Sequence, residues 1–285
     1  MATKKNKRRK INWNEINEKI DTGGGKKNYK EDNGYSEFEF KPHLEDGTHD
    51  SIIRFLPRPE GDVDQIPYVK LFNHGFKTAT GQWFIENCPT TIGGECPVCT
   101  ENSAVWKTGE EGKQLARSRA RKQSFYTNIL VINDPQTPEN NGKVFIFRFG
   151  IKVMKKIMAK LSPESEIDER VDVFDFDKGM NFKLKIRTGE YRNYDSCEFA
   201  ATPTSLGDDD FINKIDSQLH TLDPIIATDK FKNFDTLKNS FDKKSGKATV
   251  NVPLYGEENS LDNQAPSNAS ADDEVETIFD GLRND

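Results

Sequence analysis

The chain has 285 residues, 34% of them hydrophobic and 31% charged, with a formal net charge of -6. That length holds one large domain or two small ones with a sizeable core, and no apolar run approaches the roughly 20 residues of a membrane span. The basic first residues lead into no apolar stretch, so a secretory signal is not expected, and a cytosolic setting disfavours structural disulfides.

The charge is distributed unevenly. Residues 1–10 hold six Lys or Arg (Lys4, Lys5, Lys7, Arg8, Arg9 and Lys10) and no acid, whereas 255–285 hold nine acids and one Arg. Residues 112–160 carry eleven basic residues and two acids. A basic arm, a basic stripe and an acidic tail on one chain suggest an anionic partner and a tail that competes with it.

In chain order, Trp13, Ile16 and Ile20 give a short helical spacing behind the basic arm. "TGGGKKN" (22–28) reads as a flexible linker, and the folded core is expected from about 35 to 250. "SIIRFLP", "YVKLFNHGF", "QWFIEN", "SFYTNILVI", "KVFIFRF" and "NFKLKIR" are short, β-branched and aromatic, as strands are. "IKVMKKIMAKL" repeats Val153, Ile157 and Leu161 every four residues, a helix with a Lys-rich opposite face. Strands, a helix and further strands suit a mainly β or α+β chain built on a small Greek-key barrel of the oligonucleotide-binding (OB) type.

Three of the four cysteines fall in one stretch. His74, Cys88, Cys96 and Cys99 are separated by thirteen, seven and two residues. "CPVC" reads as a tight turn placing two sulfurs on one ion, with Cys88 and His74 completing a tetrahedral zinc site; His43 and His49 are the other imidazole candidates. Three thiolates and one imidazole leave no open position, so the single Zn2+ is expected to be structural, fixing Trp83 and Phe84 in place. A redox Cys-x-x-Cys pair would explain neither the third cysteine nor the histidine. Cys197 stands alone and reads as a packed free thiol.

Downstream, cations and rings interleave. Arg117, Arg119, Arg121 and Lys122 precede Phe125 and Tyr126; Arg148 lies between Phe147 and Phe149; Arg192 lies between Tyr191 and Tyr194. Single strands are bound by cations that track phosphates and rings that stack on bases. Phe145, Phe147 and Phe149 share one strand face and are equally core candidates. No recognition-helix pattern points to duplex reading. "GGGKK" departs from a phosphate loop at Ile20 and Lys27, and no His–carboxylate pairing suggests a nuclease or polymerase centre, so an enzyme is not expected. In the tail, Ile278, Phe279 and Leu282 stand among acids, a pattern suited to a segment that orders on docking to a protein.

"IIRFLP", "NHGFK", "QWFIENC", "CPVC", "RKQSFYTNIL", "DPQTPENNGKVFIFRFG" and "NYDSCEF", in that order over about residues 35–240, resemble the single-stranded DNA-binding (helix-destabilising) proteins of T-even-type bacteriophages. The resemblance implies a non-enzymatic, cooperative and sequence-independent coat for single-stranded DNA in phage replication, recombination and repair, working in the cytoplasm of the infected host. It implies an OB-fold core (22–254) with an inserted zinc subdomain at about 68–118, holding zinc at His74, Cys88, Cys96 and Cys99. DNA contact is then expected near Arg121, Lys122, Phe125, Tyr126, Phe147, Arg148, Tyr191 and Tyr194, with Arg119 beside them in the stripe. The basic arm (1–21) would mediate self-association along the DNA, and the acidic tail (255–285) would recruit replication and recombination proteins. The alternative is a zinc-containing adaptor of transcription or recombination that touches nucleic acid weakly.

Overall fold

The structure, a computed structural model, describes residues 37–165, 167–189 and 191–246. The basic arm, the Gly-rich linker and the acidic tail with Ile278, Phe279 and Leu282 lie outside them. The described residues form two units: one of residues up to Asn73, Asn87–Gly94 and Lys122–Phe231, the other of His74–Glu86, Glu95–Arg121 and residues from Lys232.

In the first unit, β1 (Thr48–Phe55), β2 (Tyr68–Lys77, of which the part up to Asn73 belongs here), β4 (Lys122–Asn133), β5 (Val144–Phe149) and β6 (Asn181–Thr188) form an antiparallel sheet, with short β7 (Arg192–Asn193) and β8 (Glu198–Phe199) on β6. β4 organises it. Residues 122–127 pair with β2, 129–133 with β1, and 125–130 with β5. β1 lies between β4 and β6, and a register shift between Ile52 and Ile53 on its β4 edge bends it.

Alternation along β6 sends Phe182, Leu184 and Ile186 inward, where they meet Ile53 and Phe55 of β1, Phe125 and Ile129 of β4, and Phe147 and Phe149 of β5. The helix expected after β5 is α3 (Ile151–Leu161), and Val153, Ile157 and Leu161 are buried on this core with Met154. The opposite face of β4 is covered as well. Tyr126 packs with Val69, Leu71, Ile146, Leu222 and Ile225, and Leu130 with Leu56, Val144 and Ile215 of α4 (Asp209–Asp216). Both faces of β4 are therefore dry, and Ser124–Val131 is an unbroken buried run.

A buried ionic group ties the covering segment down. Arg58 lies 3.0 Å from Asp62 and 3.1 Å from Asp223, whose other oxygen accepts Val63 N–H, while Asp62 accepts Leu222 N–H. Burial pushes the Asp62 carboxyl above its ordinary range against the pull of its hydrogen bonds and Arg58.

The second unit contains the end of β2 from His74, β3 (Trp83–Asn87, up to Glu86), and helices α1 (Pro97–Trp106), α2 (Glu110–Ser118) and α5 (Phe234–Ser245). Phe241 of α5 packs on Phe76 and Phe84, at 6.1 and 5.4 Å between ring centres. Gly112 lets α2 approach α1: a Cβ there would sit 2.1 Å from the Val105 carbonyl oxygen. Asn233 caps α5 by accepting Thr236 N–H, and Gly246 ends it at φ 74°. The tight turn expected at "CPVC" is the first turn of a helix. Cys96 is the N-cap of α1, Pro97 occupies its first position and Cys99 its first turn, because proline's fixed φ and missing N–H suit a helix start.

Candidate metal centre and nucleic-acid interface

His74, Cys88, Cys96 and Cys99 converge, with their ligand atoms all within 4.8 Å of one another. β2 supplies His74, Cys88 follows β3 with its N–H bonded to Phe72 O, and the start of α1 presents Cys96 and Cys99 three residues apart on one face. His74 Nε2 is 3.3 Å from Cys96 Sγ and 3.6 Å from Cys99 Sγ. Tetrahedral zinc with ordinary bond lengths separates a nitrogen and a sulfur ligand by about 3.5 Å, so the donor spacing fits.

The histidine's tautomer also fits. Nδ1 lies 3.1 Å from the Arg119 carbonyl oxygen, which can only accept, so Nδ1 carries the proton and Nε2 turns its lone pair to the thiols. His74, Cys88 and Cys96 are buried and Cys99 is partly so. The cluster can hold a metal ion, and among the four donors no position is left for a substrate. His49 is engaged elsewhere, with His43 O and Ser51 Oγ each at 2.9 Å.

The expected DNA contacts separate by burial. Phe125, Tyr126 and Phe147 are only 4%, 2% and 2% exposed. Their rings are taken up by the two faces of the sheet, and a ring packed on both sides has none to offer a base. These three rings are therefore not open surfaces in this structure. Arg119 is also engaged internally: its guanidinium lies 2.8 Å from Glu101 and 5.5 Å from the Phe241 ring centre, and its carbonyl orients His74. Arg121 is half-buried and Lys122 exposed at the start of β4; Arg148 is exposed, Tyr191 is 77% exposed and Tyr194 is half-buried.

Within the sheet unit, pairing sets Arg148 of β5 opposite Tyr126 of β4. The guanidinium lies 5.9 Å from the Tyr126 ring centre and donates to Ser124 Oγ at 3.4 and 3.2 Å. Tyr194 joins this group. Burial raises its phenol pKa, opposed by Arg192, which also hydrogen-bonds it, and more weakly by Arg148. Exposed Arg148 and Arg192 offer cations for phosphates, and half-buried Tyr194, within electrostatic reach of both, offers an aromatic edge for a base.

Two features were not singled out from sequence. Ser124 holds Arg148 in place, a contact that cross-strand geometry alone creates. On β6, Lys183, Lys185 and Arg187 point outward at alternate positions and line a groove of about 490 Å³ with Ser51, Asn133 and Ser196. These three cations share two acids, Lys183 and Lys185 with Glu198 and Arg187 with Asp50, so the row has a surplus of one charge.

No helix among the described residues is long and apolar enough to cross a membrane. Compared with known proteins, residues 47–244 match the family described as "gp32 DNA binding protein like". The chain is 38% identical over 220 residues to a protein of Enterobacteria phage T2 named single-stranded DNA-binding protein, a match covering 74% of this chain and 71% of that one. The protein of the same name from Enterobacteria phage T4 is 37% identical over 222 residues, with the same coverage. A third, from Escherichia phage SV14, is 45% identical over 64 residues, 21% of this chain and 54% of that one.

Proposed function

Since the chain belongs to the gp32-like family of DNA-binding proteins, we propose that it is a binder of single-stranded DNA and not an enzyme, coating exposed strands without regard to sequence during phage replication, recombination and repair in the host cytoplasm. The observation that carries this reading is the exposed Arg148 guanidinium, buttressed by Ser124 and Tyr126. Arg121, Lys122, Arg148 and Arg192 meet phosphates, and Tyr191 and Tyr194 meet bases. Phe125, Tyr126 and Phe147 form the floor that keeps them in position.

The sheet's antiparallel pairing and bent β1 support an OB-type five-stranded barrel as its architecture, within a core spanning 22–254. The donor spacing and the His74 tautomer support one structural Zn2+ in a subdomain at about 68–118. The basic arm (1–21) serves self-association along the strand through Lys4, Lys5, Lys7, Arg8, Arg9 and Lys10. The acidic tail (255–285) captures replication and recombination proteins through Ile278, Phe279 and Leu282.

The test is a titration with oligo(dT) and with duplex of equal length. Binding to the single strand should be tighter and fall with salt by roughly 0.7 log per log for each neutralised phosphate. Arg148→Ala should flatten that slope by about 0.7. Tyr194→Ala should instead cost about 1–3 kcal/mol at constant slope. Equal affinity for duplex, or indifference to both substitutions, would overturn the reading and favour the adaptor.

A further inference from the structure

β3 presents two large apolar side chains to solvent. Trp83 is 58% exposed and Ile85 64%, while Phe84 between them is fully buried against Phe76 and Phe241. The alternation explains the direction, since Phe84 must face the small core and its neighbours must face away. It does not explain why the outward positions are a Trp and an Ile, the residues least suited to an exposed edge strand. Among the described residues, β2 is the one strand that β3 pairs with.

What lies across from the indole is a cation. Thr78 N–H bonds to Gln82 O and Cys88 N–H to Phe72 O, which fixes the antiparallel register of the hairpin and sets Lys77 opposite Trp83 and Gly75 opposite Ile85. Lys77 is exposed, and Gly75 leaves the surface beside Ile85 without a side chain. The unit carrying this face is basic: its described residues hold ten Lys and Arg against seven Asp and Glu, in a chain whose net charge is -6. The strand that carries the ring is anchored at both ends. The turn at Thr78–Gln82 is tied to α5 by Thr78 and Thr80 hydroxyls donating to Lys244 O at 2.8 and 2.5 Å, and the strand's far end leads into Cys88 of the metal cluster.

We propose that Trp83, with Lys77 beside it, is a second base-stacking platform: an unstacked nucleobase of a single strand lies on the indole and the adjoining phosphate meets the Lys77 ammonium. This rests on the single-strand reading above and adds a site in the other unit. A stack of this kind is tolerant of sequence, because every base has a π-face, and an indole on an anchored strand costs little backbone ordering on binding.

The experiment uses the full zinc-loaded chain. In a Trp13→Phe, Trp106→Phe background, Trp83 is the single indole; its emission should be quenched by oligo(dT) and left unchanged by an abasic phosphodiester of equal length. Trp83→Ala should weaken oligo(dT) binding about 5- to 150-fold with an unchanged salt slope, and Trp83→Phe should recover most of the loss. Unaltered zinc content in both variants shows that the hairpin is intact. Equal quenching by the abasic strand, or wild-type affinity in Trp83→Ala, overturns the proposal while leaving the Arg148–Tyr194 interface standing. So does a wild-type dimer that Trp83→Ala dissolves without weakening DNA binding, since the face would then meet a second copy of the chain. A wild-type chain that ignores oligo(dT) overturns both readings.

Discussion

Phe55 in the sheet unit has four other aromatic rings within 6.0 Å, and around it β1, β4, β5, β6 and α3 all contribute buried side chains. In the other unit the buried rings are Phe76, Phe84 and Phe241 with the His74 imidazole, and few aliphatic residues (Val98, Leu237) join them. The first unit is stabilised by apolar burial, at roughly 25 cal/mol per Å². The second has 55 described residues in three separate segments, below the size at which apolar burial alone is comfortable. Three of the four clustered donors (His74, Cys96 and Cys99) belong to this unit and Cys88 to the first, and a metal held there would take over part of that task. A small unit assembled from distant segments can be made rigid by a metal where a core would be too small, and rigidity is what an exposed Trp83 needs in order to act as a surface.

The strongest way to break this contrast is to remove the metal. About one zinc per chain is expected, and structural zinc sites in small peptides contribute apparent free energies of about 10–16 kcal/mol at neutral pH. Chelation, or Cys99→Ser, should therefore open residues 74–121 to protease while the strands of the sheet unit stay protected. A metal-free chain with the same protease pattern and the same melting curve would show that the donors are incidental. The converse change is smaller. Phe182→Ala empties a fully buried site between Phe55 and Phe199 and should cost about 3–5 kcal/mol in the sheet unit, read by denaturant melting, with zinc content unchanged. Loss of zinc from that variant would mean that the two units do not divide their stability as described.

How legible these features were in the sequence follows the same line. Strands built on local alternation, such as "NFKLKIR", and a helix built on a four-residue repeat, such as Val153–Ile157–Leu161, show in the chain because their pattern is their cause. The metal donors show because cysteine is scarce and its spacing is chemically restrictive. The burial of Tyr126 is not legible in the sequence because what covers it is remote: Leu222 and Ile225 reach across the sheet from nearly a hundred residues away, and no local pattern announces a second covering layer. The helical start at "CPVC" was missed for the opposite reason, since a Cys-x-x-Cys turn and the first turn of a helix share one spacing. Arg119 looked like any cation in a basic run, and its tie to Glu101 and its carbonyl's hold on His74 exist only in three dimensions.

The smallest effect gives the sharpest comparison, because the same kind of substitution can be made in each unit. Asp208 caps α4 by accepting Phe211 N–H at 2.8 Å, and Asn233 caps α5 by accepting Thr236 N–H at 2.8 Å. Replacing either by Ala removes one hydrogen bond to a helix-end N–H and should cost about 1 kcal/mol locally. In the sheet unit that loss should appear as a slightly lower melting midpoint and nothing else. If folding of the other unit is coupled to its metal, the same loss must also be made up from metal binding. A cost of about 1 kcal/mol then weakens apparent zinc affinity roughly fivefold, because the ion binds only the folded form. Competition against a chelator of known strength measures this directly. Asn233→Ala should release zinc at about one-fifth of the chelator activity that wild type requires, and Asp208→Ala should match wild type. Equal zinc affinity in both variants would mean that the unit around His74 is already folded before the metal arrives, and that its few buried rings suffice without it.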